Sequence, residues 1–315
     1  MILEILIGFF FLVLGGDTLV KGAVAVARKL GLSELLIGLT LVGFGTSTPE
    51  LVANIQGAMM GAPDLAVGNV IGSNLANILL VLGTAAVIFP IGCPKDLLKR
   101  DGAWLILSML LFAILAAYGE IPRMVGLALA LLLIVYVYTV YKQEKVERDV
   151  STEMHEHEAE AIHPWFNSVF GGLILAVIGM AMTIGGAKLA VSGAVALAGS
   201  MGISDVVIGM TVVALGTSLP ELVTAVVAAI RKSSDVALGG VVGSNISNVL
   251  MVLGLTSVVH PLSIPRESML YDLPMLAATT ILLLMLVRSG HRLSRAEGGF
   301  FVLCYVGYMA YSVIR

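Results

Sequence analysis

Apolar residues run along this chain in long blocks, interrupted by short polar clusters. A helix needs about 20 mainly apolar residues to cross a bilayer. Ten such blocks can be drawn, at roughly 2–26, 33–60, 65–90, 102–118, 121–141, 166–198, 204–230, 235–260, 271–288 and 297–314. The first has no basic segment before it and no clear cleavage site, so it reads as a membrane helix and not as a signal peptide.

Composition narrows the class. Of the 315 residues 58% are hydrophobic and only 12% charged, and the mean hydropathy is +1.00. A soluble domain needs more charge to cover its surface. Aromatic residues make up 6%, so the apolar content is mostly aliphatic, as in packed membrane helices and unlike a barrel with aromatic girdles. A net charge of −3 argues against nucleic acid as a partner. Cys93 and Cys304 are isolated, which fits neither a disulfide framework nor a zinc site.

Basic residues set the expected orientation. With ten spans, thirteen Lys and Arg fall in loops on one side and three, Arg123, Arg266 and Arg315, on the other. The rich side is expected to be cytoplasmic, with both termini outside, in a plasma or inner membrane. The one long polar connection, 142–164, is expected to be a solvated cytoplasmic linker, although His155, His157 and His163 alternate there with carboxylates in a pattern able to bind a transition metal.

Residues 45–51, GTSTPEL, return as GTSLPEL at 216–222, an offset of 171. The same offset aligns GNVIGSNLANILLVLG (68–83) with GGVVGSNISNVLMVLG (239–254). The chain therefore divides into a first five-helix repeat (1–141), the linker and a second repeat (165–315). Five spans is an odd number, so the second repeat enters the membrane from the opposite side. The expected fold is an all-α integral membrane protein of ten transmembrane helices in two inverted five-helix repeats, an architecture that places binding sites at the midplane between the halves.

The repeated motifs carry the chemistry. Pro49 and Pro220 have no N–H and clash with the carbonyl four residues earlier, so each second helix of a repeat should break, freeing carbonyls near 43–45 and 214–216. Glu50 and Glu221 follow the breaks, where a carboxylate is costly in lipid. Ser47 and Ser218 share a helix face with them, three residues away, and Thr46 and Thr217 stand beside them. From the third helix of each repeat come Ser73 with Asn77 and Ser244 with Asn248, each pair on one face, while Asn74 and Asn245 point elsewhere as interhelical links. Gly68 with Gly72 and Gly239 with Gly243 form small-residue surfaces for close helix approach. Such oxygen donors select hard cations, Ca²⁺, Mg²⁺, Na⁺ or protons. Two carboxylates balance one divalent ion or two monovalent ones, which is the logic of exchange.

These motifs resemble those of the calcium/cation antiporter superfamily, specifically its sodium/calcium exchanger type: GTSxPE at 45–50 and 216–221, and GSNxxN at 72–77 and 243–248. The resemblance implies antiport of Ca²⁺ against Na⁺, with no cofactor and no catalysis. Spans 2, 3, 7 and 8 would form the core, with spans 1 and 6 as tilted helices that slide across it. It implies Glu50 and Glu221 as central ligands, completed by Thr46, Ser47, Ser73, Asn77, Thr217, Ser218, Ser244 and Asn248 and by backbone oxygens around Gly43 and Ala214. Many members carry Asp where this chain has Asn248, leaving one titratable group fewer. Proton-coupled cation antiport in the same fold is the alternative, and a cation channel a more distant one. HExxH and GxSxG, motifs of intramembrane enzymes, do not occur. Of the remaining polar residues, Asp17 and Lys21 are spaced to pair within the first span, Lys188 lies in the sixth without an obvious partner, and Asp101 and Asp272 are expected to open spans four and nine.

Overall fold

The computed structural model describes residues 1–61, 63–93, 95–151, 168–201 and 214–314. They form a mainly helical bundle, and eight of the described helices are long and apolar enough to cross a membrane. In chain order the helices are α1 (Ile2–Leu30), α2 (Glu34–Met59), α3 (Leu65–Ile88), α4 (Lys95–Tyr118), α5 (Arg123–Ser151), α6 (Val169–Ser200), α7 (Leu219–Ile230, preceded by the turn Ala214–Thr217), α8 (Ser234–Val259), α9 (Ser268–Gly290) and α10 (Arg295–Ile314). The protein is an integral, multi-pass membrane protein.

Local chemistry sets the connections. Helix α1 stops at Gly31, which takes the left-handed conformation (φ 60°) that glycine adopts without steric cost, and its N–H returns to the Ala27 and Arg28 carbonyls. Ser33 then caps α2, its hydroxyl accepting from the Leu36 N–H at 3.0 Å. Short strands tie the two halves together: β1 (Ile91–Gly92) pairs with β4 (Arg292–Leu293), and β2 (Glu120–Ile121) with β3 (Leu262–Ser263), all antiparallel. Ile91 and Leu262 are equivalent in the sequence repeat, and each pairs with the strand that follows the fourth helix of the other half.

The most extensive helix contact is between α1 and α6. Gly8, Gly15 and Gly22 recur every seven residues on α1, as do Gly172, Gly179, Gly186 and Gly193 on α6. They mesh in antiparallel order. A Cβ on Gly15 would stand 2.6 Å from the Thr183 nitrogen and 2.8 Å from the Gly179 oxygen, and one on Gly186 would stand 2.7 Å from both the Gly8 oxygen and the Leu12 nitrogen. The two backbones therefore touch along their length, as small residues permit in lipid. The core behind them centres on α2, α3, α7 and α8, and α8 is the most buried of the long helices. Gly43 and Gly243 bring α2 and α8 together: a Cβ on Gly43 would come 2.9 Å from the Ser244 nitrogen. For Gly68 and Gly72 no described residue stands within reach of such a Cβ.

Two sequence expectations change, and one feature is new. Helix α5 continues to Ser151, so the segment expected as linker from 142 begins as helix; the three linker histidines and the first part of span seven lie outside the described residues. Asp101 does not open α4 but lies within it, fully buried, with the Arg100 guanidinium 3.0 Å from its carboxylate. The motif helices are not uniformly α-helical, because α2 is wound as π-helix over Gly38–Val42, α3 over Ala76–Leu82 and α8 over Asn248–Leu253.

Since a side chain at Gly15 would meet the α6 backbone and the Met182 Cβ, Gly15→Leu should destabilise the α1–α6 contact by about 1–3 kcal/mol, the cost of overpacking. Thermal unfolding in detergent checks this: a midpoint equal to that of the parent chain would show that the backbones do not approach as described.

Candidate ion-binding site

The two motif helices break where the prolines require. Helix α2 is interrupted at Ser47 (φ −79°, ψ 0°) and restarts at Thr48, with Pro49 in its first turn; Ser218 (φ −89°, ψ 3°) precedes α7, with Pro220 in its first turn. Proline is at home there because first-turn N–H groups have no helical partner. Each break places its glutamate in the first turn of a new helix, whose dipole favours negative charge. Glu50 is 1% and Glu221 5% exposed, and the two carboxylates are close enough to repel each other.

The carbonyls freed by the breaks are not all bare. Gly43 O accepts from the Ser47 N–H at 3.2 Å and from the Ser244 hydroxyl at 3.1 Å. Thr46 Oγ1 donates to Val42 O at 3.0 Å and lies 3.3 Å from Ser244 Oγ. The Ser247 hydroxyl reaches Ser47 Oγ at 3.1 Å. Helix α8 is thus stitched by hydroxyls to the break in α2.

The four asparagines form a reciprocal lock across the pseudo-twofold axis. Asn74 Nδ2 donates to the Asn245 carbonyl at 3.3 Å, and Asn245 Nδ2 to the Asn74 carbonyl at 3.5 Å. Asn77 Nδ2 donates to Asn245 Oδ1 at 3.1 Å, and Asn248 Nδ2 to Asn74 Oδ1 at 2.9 Å. Each amide of Asn77 and Asn248 therefore spends its NH₂ on the opposite half and keeps its oxygen free. The expected role of Asn74 and Asn245 as interhelical links has a consequence beyond packing, since they orient the other two.

What remains is a set of buried oxygens with no hydrogen-bond partner among the described residues: Glu50 Oε2, both Glu221 carboxylate oxygens, Asn77 Oδ1, Asn248 Oδ1, Ser218 Oγ and Thr224 Oγ1. Buried polar atoms are ordinarily paired. Unpaired oxygens on both sides of a symmetry axis can serve as ligands for a cation, and being all oxygen they would suit a hard one. Thr46, Glu221 and Thr224 also line one small cavity of about 10 Å³ against Gly240.

Of the other residues expected here, Ser73 is buried on α3 in the same helical turn as Asn74 and Asn77. Thr217 lines a different, open cleft of about 310 Å³ with Pro49, Ala53, Lys188 and Val191. Ala214 lies in the turn before the second break, and only its backbone is described. Sequence reasoning missed Thr224 and Ser247. Both sit three residues from a motif member, Thr224 from Glu221 and Ser247 from Ser244, and both are hydroxyls where the other repeat has Ala53 and Ala76. A search for polar residues at helical spacing from the motifs would have found them.

Lys188 borders the open cleft at the N-terminal end of α7. At the opposite end, Arg231 Nε meets Asp17 Oδ1 of α1 at 2.6 Å, and Lys21 meets the other oxygen of Asp17 at 2.8 Å. The pairing of Asp17 with Lys21 within α1 thus extends to a third charge on the core.

Comparison with known proteins gives the family. The family model for "Sodium/calcium exchanger protein" matches residues 1–142 and 171–314. The putative antiporter CaxA of Alkalimonas amylolytica is 37% identical over 308 residues, covering 96% of each chain. The sodium/calcium exchanger MaX1 of Methanosarcina acetivorans is 35% identical, covering 98% of this chain and 97% of its own. The solved structure of the sodium-calcium exchanger NCX_Mj, soaked with Na⁺ and Sr²⁺, superposes with a TM-score of 0.83 at 33% identity, over 98% of this chain and 97% of that one. Mirrored helix breaks, paired carboxylates and a full-length match make this chain a member of the sodium/calcium exchanger family.

Proposed function

We propose that the protein is a secondary active antiporter that exchanges Ca²⁺ for Na⁺ by alternating access. The observation that carries this reading is the pair of buried carboxylates, Glu50 and Glu221, whose free oxygens face one another's charge without a counter-cation side chain among the described residues. Two negative charges in a low-dielectric interior repel each other and lack hydration. One Ca²⁺ neutralises both, and so do two Na⁺, so either cargo permits the rearrangement that the bare site opposes. The names borne by MaX1 and NCX_Mj point to the same pair of ions.

In this reading Asn77 Oδ1, Asn248 Oδ1 and Ser218 Oγ complete the coordination around the carboxylates. Thr46, Ser47, Ser73 and Ser244 form the inner wall, with Thr217 and the backbone of Ala214 on the approach from the cleft. The Gly43 carbonyl joins the ligands when the hydroxyl of Ser244 turns away. The two repeats, 1–141 and 165–315, supply equivalent walls. Helices α1 and α6, held to each other by their glycine ladders, slide together over the core. The basic-rich side is the cytoplasmic one and both termini are outside, so the cleft at Thr217 opens outward while the Asp17–Arg231–Lys21 cluster closes the inner side.

Calcium flux into proteoliposomes, with internal sodium, protons or potassium imposed in turn, tests the reading. Sodium should drive uptake. Uptake driven only by a proton gradient would replace sodium by protons as the coupling ion, and flux independent of any counter-ion would make the protein a channel. Glu50→Gln and Glu221→Gln should each weaken Ca²⁺ binding by about 3 kcal/mol or more, as removing one charge from a buried pair does, which is at least about a hundredfold. Exchange at the parental rate in both variants would remove these residues from the site.

Asn74→Ala strands the Asn248 NH₂, and Asn245→Ala strands that of Asn77. An unsatisfied buried donor costs about 1–3 kcal/mol, so each variant should need roughly tenfold more Ca²⁺ for half-maximal exchange; an unchanged requirement would mean that the lock does not orient the ligands. Arg231→Ala should shift the access equilibrium by about 1 kcal/mol, the scale of a partly exposed ion pair. The reporter is thiol labelling of Val227→Cys, in a background with Cys93 and Cys304 replaced by serine, from the side on which Arg231 lies. Labelling should rise several-fold, and an unaltered rate would show that the cluster does not hold that side closed.

A further inference from the structure

A groove of about 500 Å³ runs between α4 and α9, on the flank of the bundle and away from the ion site. One end is lined by Lys99, Arg288 and His291, and the rest by Ile106, Ile281, Leu284 and Met285. Seven residues separate Lys99 from Ile106 and Arg288 from Ile281, so the apolar trough extends about 10 Å along the helices from the basic end. The basic end lies on the side that carries most of the lysine and arginine, at headgroup depth, where α4 begins and α9 ends.

The end of the groove is built. His291 closes α9 in the left-handed conformation (φ 51°), and its carbonyl accepts the Cys93 N–H at 2.8 Å. The adjoining β1–β4 pairing, Gly92 against Arg292, fixes the end of α9 beside the start of α4. No described carboxylate pairs with Lys99 or Arg288, whereas the neighbouring Arg100 is held by Asp101 at 3.0 Å. A second trough of about 230 Å³ lies on the other side of α4, lined by Lys99, Arg100, Ala103, Trp104, Leu107 and Gln143. Lys99 therefore stands between two troughs.

A cationic group between an apolar trough and a second, half-polar one that carries Trp104 and Leu107 matches one class of molecule: a phosphate carrying two acyl chains. Basic pockets between membrane helices on the cytoplasmic side have the chemistry to hold lipid phosphates. A zwitterionic headgroup would bring its own ammonium against Lys99 and Arg288, so an anionic one fits better. We propose that the α4–α9 groove binds an anionic phospholipid, with its phosphate against Lys99, Arg288 and His291, one acyl chain along Ile106, Ile281 and Met285, and the other across α4 beside Trp104 and Leu107. The site is separate from the exchange reaction and does not depend on it.

Native mass spectrometry of the full chain, released from detergent after incubation with equal amounts of phosphatidylglycerol and phosphatidylcholine, tests this. The parent chain should retain phosphatidylglycerol over phosphatidylcholine by roughly tenfold, given two unpaired basic side chains at the headgroup. Lys99→Gln with Arg288→Gln should bring the two lipids to parity. Ile106→Trp, which fills the trough and leaves every charge in place, should also lose the adduct. Millimolar inorganic phosphate should leave it bound, because the chains contribute to the hold. Equal retention of both lipids by the parent chain, an undiminished preference in both variants, or displacement by phosphate alone would overturn the proposal. Where the double variant unfolds, the Ile106→Trp chain still decides it.

Discussion

Two carboxylates at the centre of a membrane protein, too close to ignore each other and too buried to be hydrated, are the constraint on which the rest of this structure depends. Among the described residues the protein surrounds Glu50 and Glu221 with dipoles and free oxygens, not with Lys or Arg. An arginine would have satisfied the pair permanently and left nothing for a mobile ion to do. The charge debt is held open by design of the fold, and the first turns of two broken helices, with their partial positive ends, reduce it without cancelling it.

Holding such a site in shape requires rigidity that does not use up its ligands. The asparagine lock meets that requirement. Its hydrogen bonds run between the halves, through Asn74 and Asn245 to Asn248 and Asn77, and each spends a donor while leaving an oxygen. The hydroxyl contacts from Ser244 and Ser247 hold the break in α2 differently, by occupying the Gly43 carbonyl and the Ser47 oxygen. The glycine ladders of α1 and α6 answer a different need. Backbone against backbone along their length, they hold the two helices to each other as one unit beside the core. Core and outer pair thus differ in the kind of contact they make, hydrogen-bonded in one and close-packed backbone in the other.

Much of this was legible in the sequence because membrane burial imposes strong rules. Apolar blocks gave the helices, and the constant offset between repeats implied inversion. Proline followed by glutamate at membrane depth marked the breaks, which fall within two residues of Pro49 and Pro220. What was not legible depended on contacts between distant segments. The π-helical winding at Asn77 and Asn248 has no period of its own in a run of aliphatic residues. Asp101 looked like a helix start because the charged residues before it resemble a loop, whereas packing draws α4 back to Lys95 and buries the acid against Arg100. The partner of Asp17, Arg231, lies more than two hundred positions away, and no local pattern names it. The glycine heptads were visible but unread, since a glycine every seventh residue gains meaning only when a second ladder lies opposite.

The departures from symmetry are as informative as the symmetry itself. Asp17 and Lys188 occupy equivalent positions in the two repeats yet carry opposite charge. One is paired to the core through Arg231 at one end of α7, and the other borders an open cleft at the opposite end. Two inverted halves of identical sequence would give inward and outward states of equal energy, with access set by ion concentrations alone. The Asp17–Arg231 pair joins the two halves, and its repeat-equivalent positions, Lys188 and Met60, cannot form an ion pair, so it biases that equilibrium toward the state in which the pair is made. The conformation seen here, closed beside Arg231 and open beside Lys188, is the one such a bias selects, and the opposite state requires the ion pair to be broken as α1 moves. If ions bind at the glutamates as proposed, that binding must supply the difference, which couples the occupancy of the central site to a contact at the end of the same helix that carries Glu221.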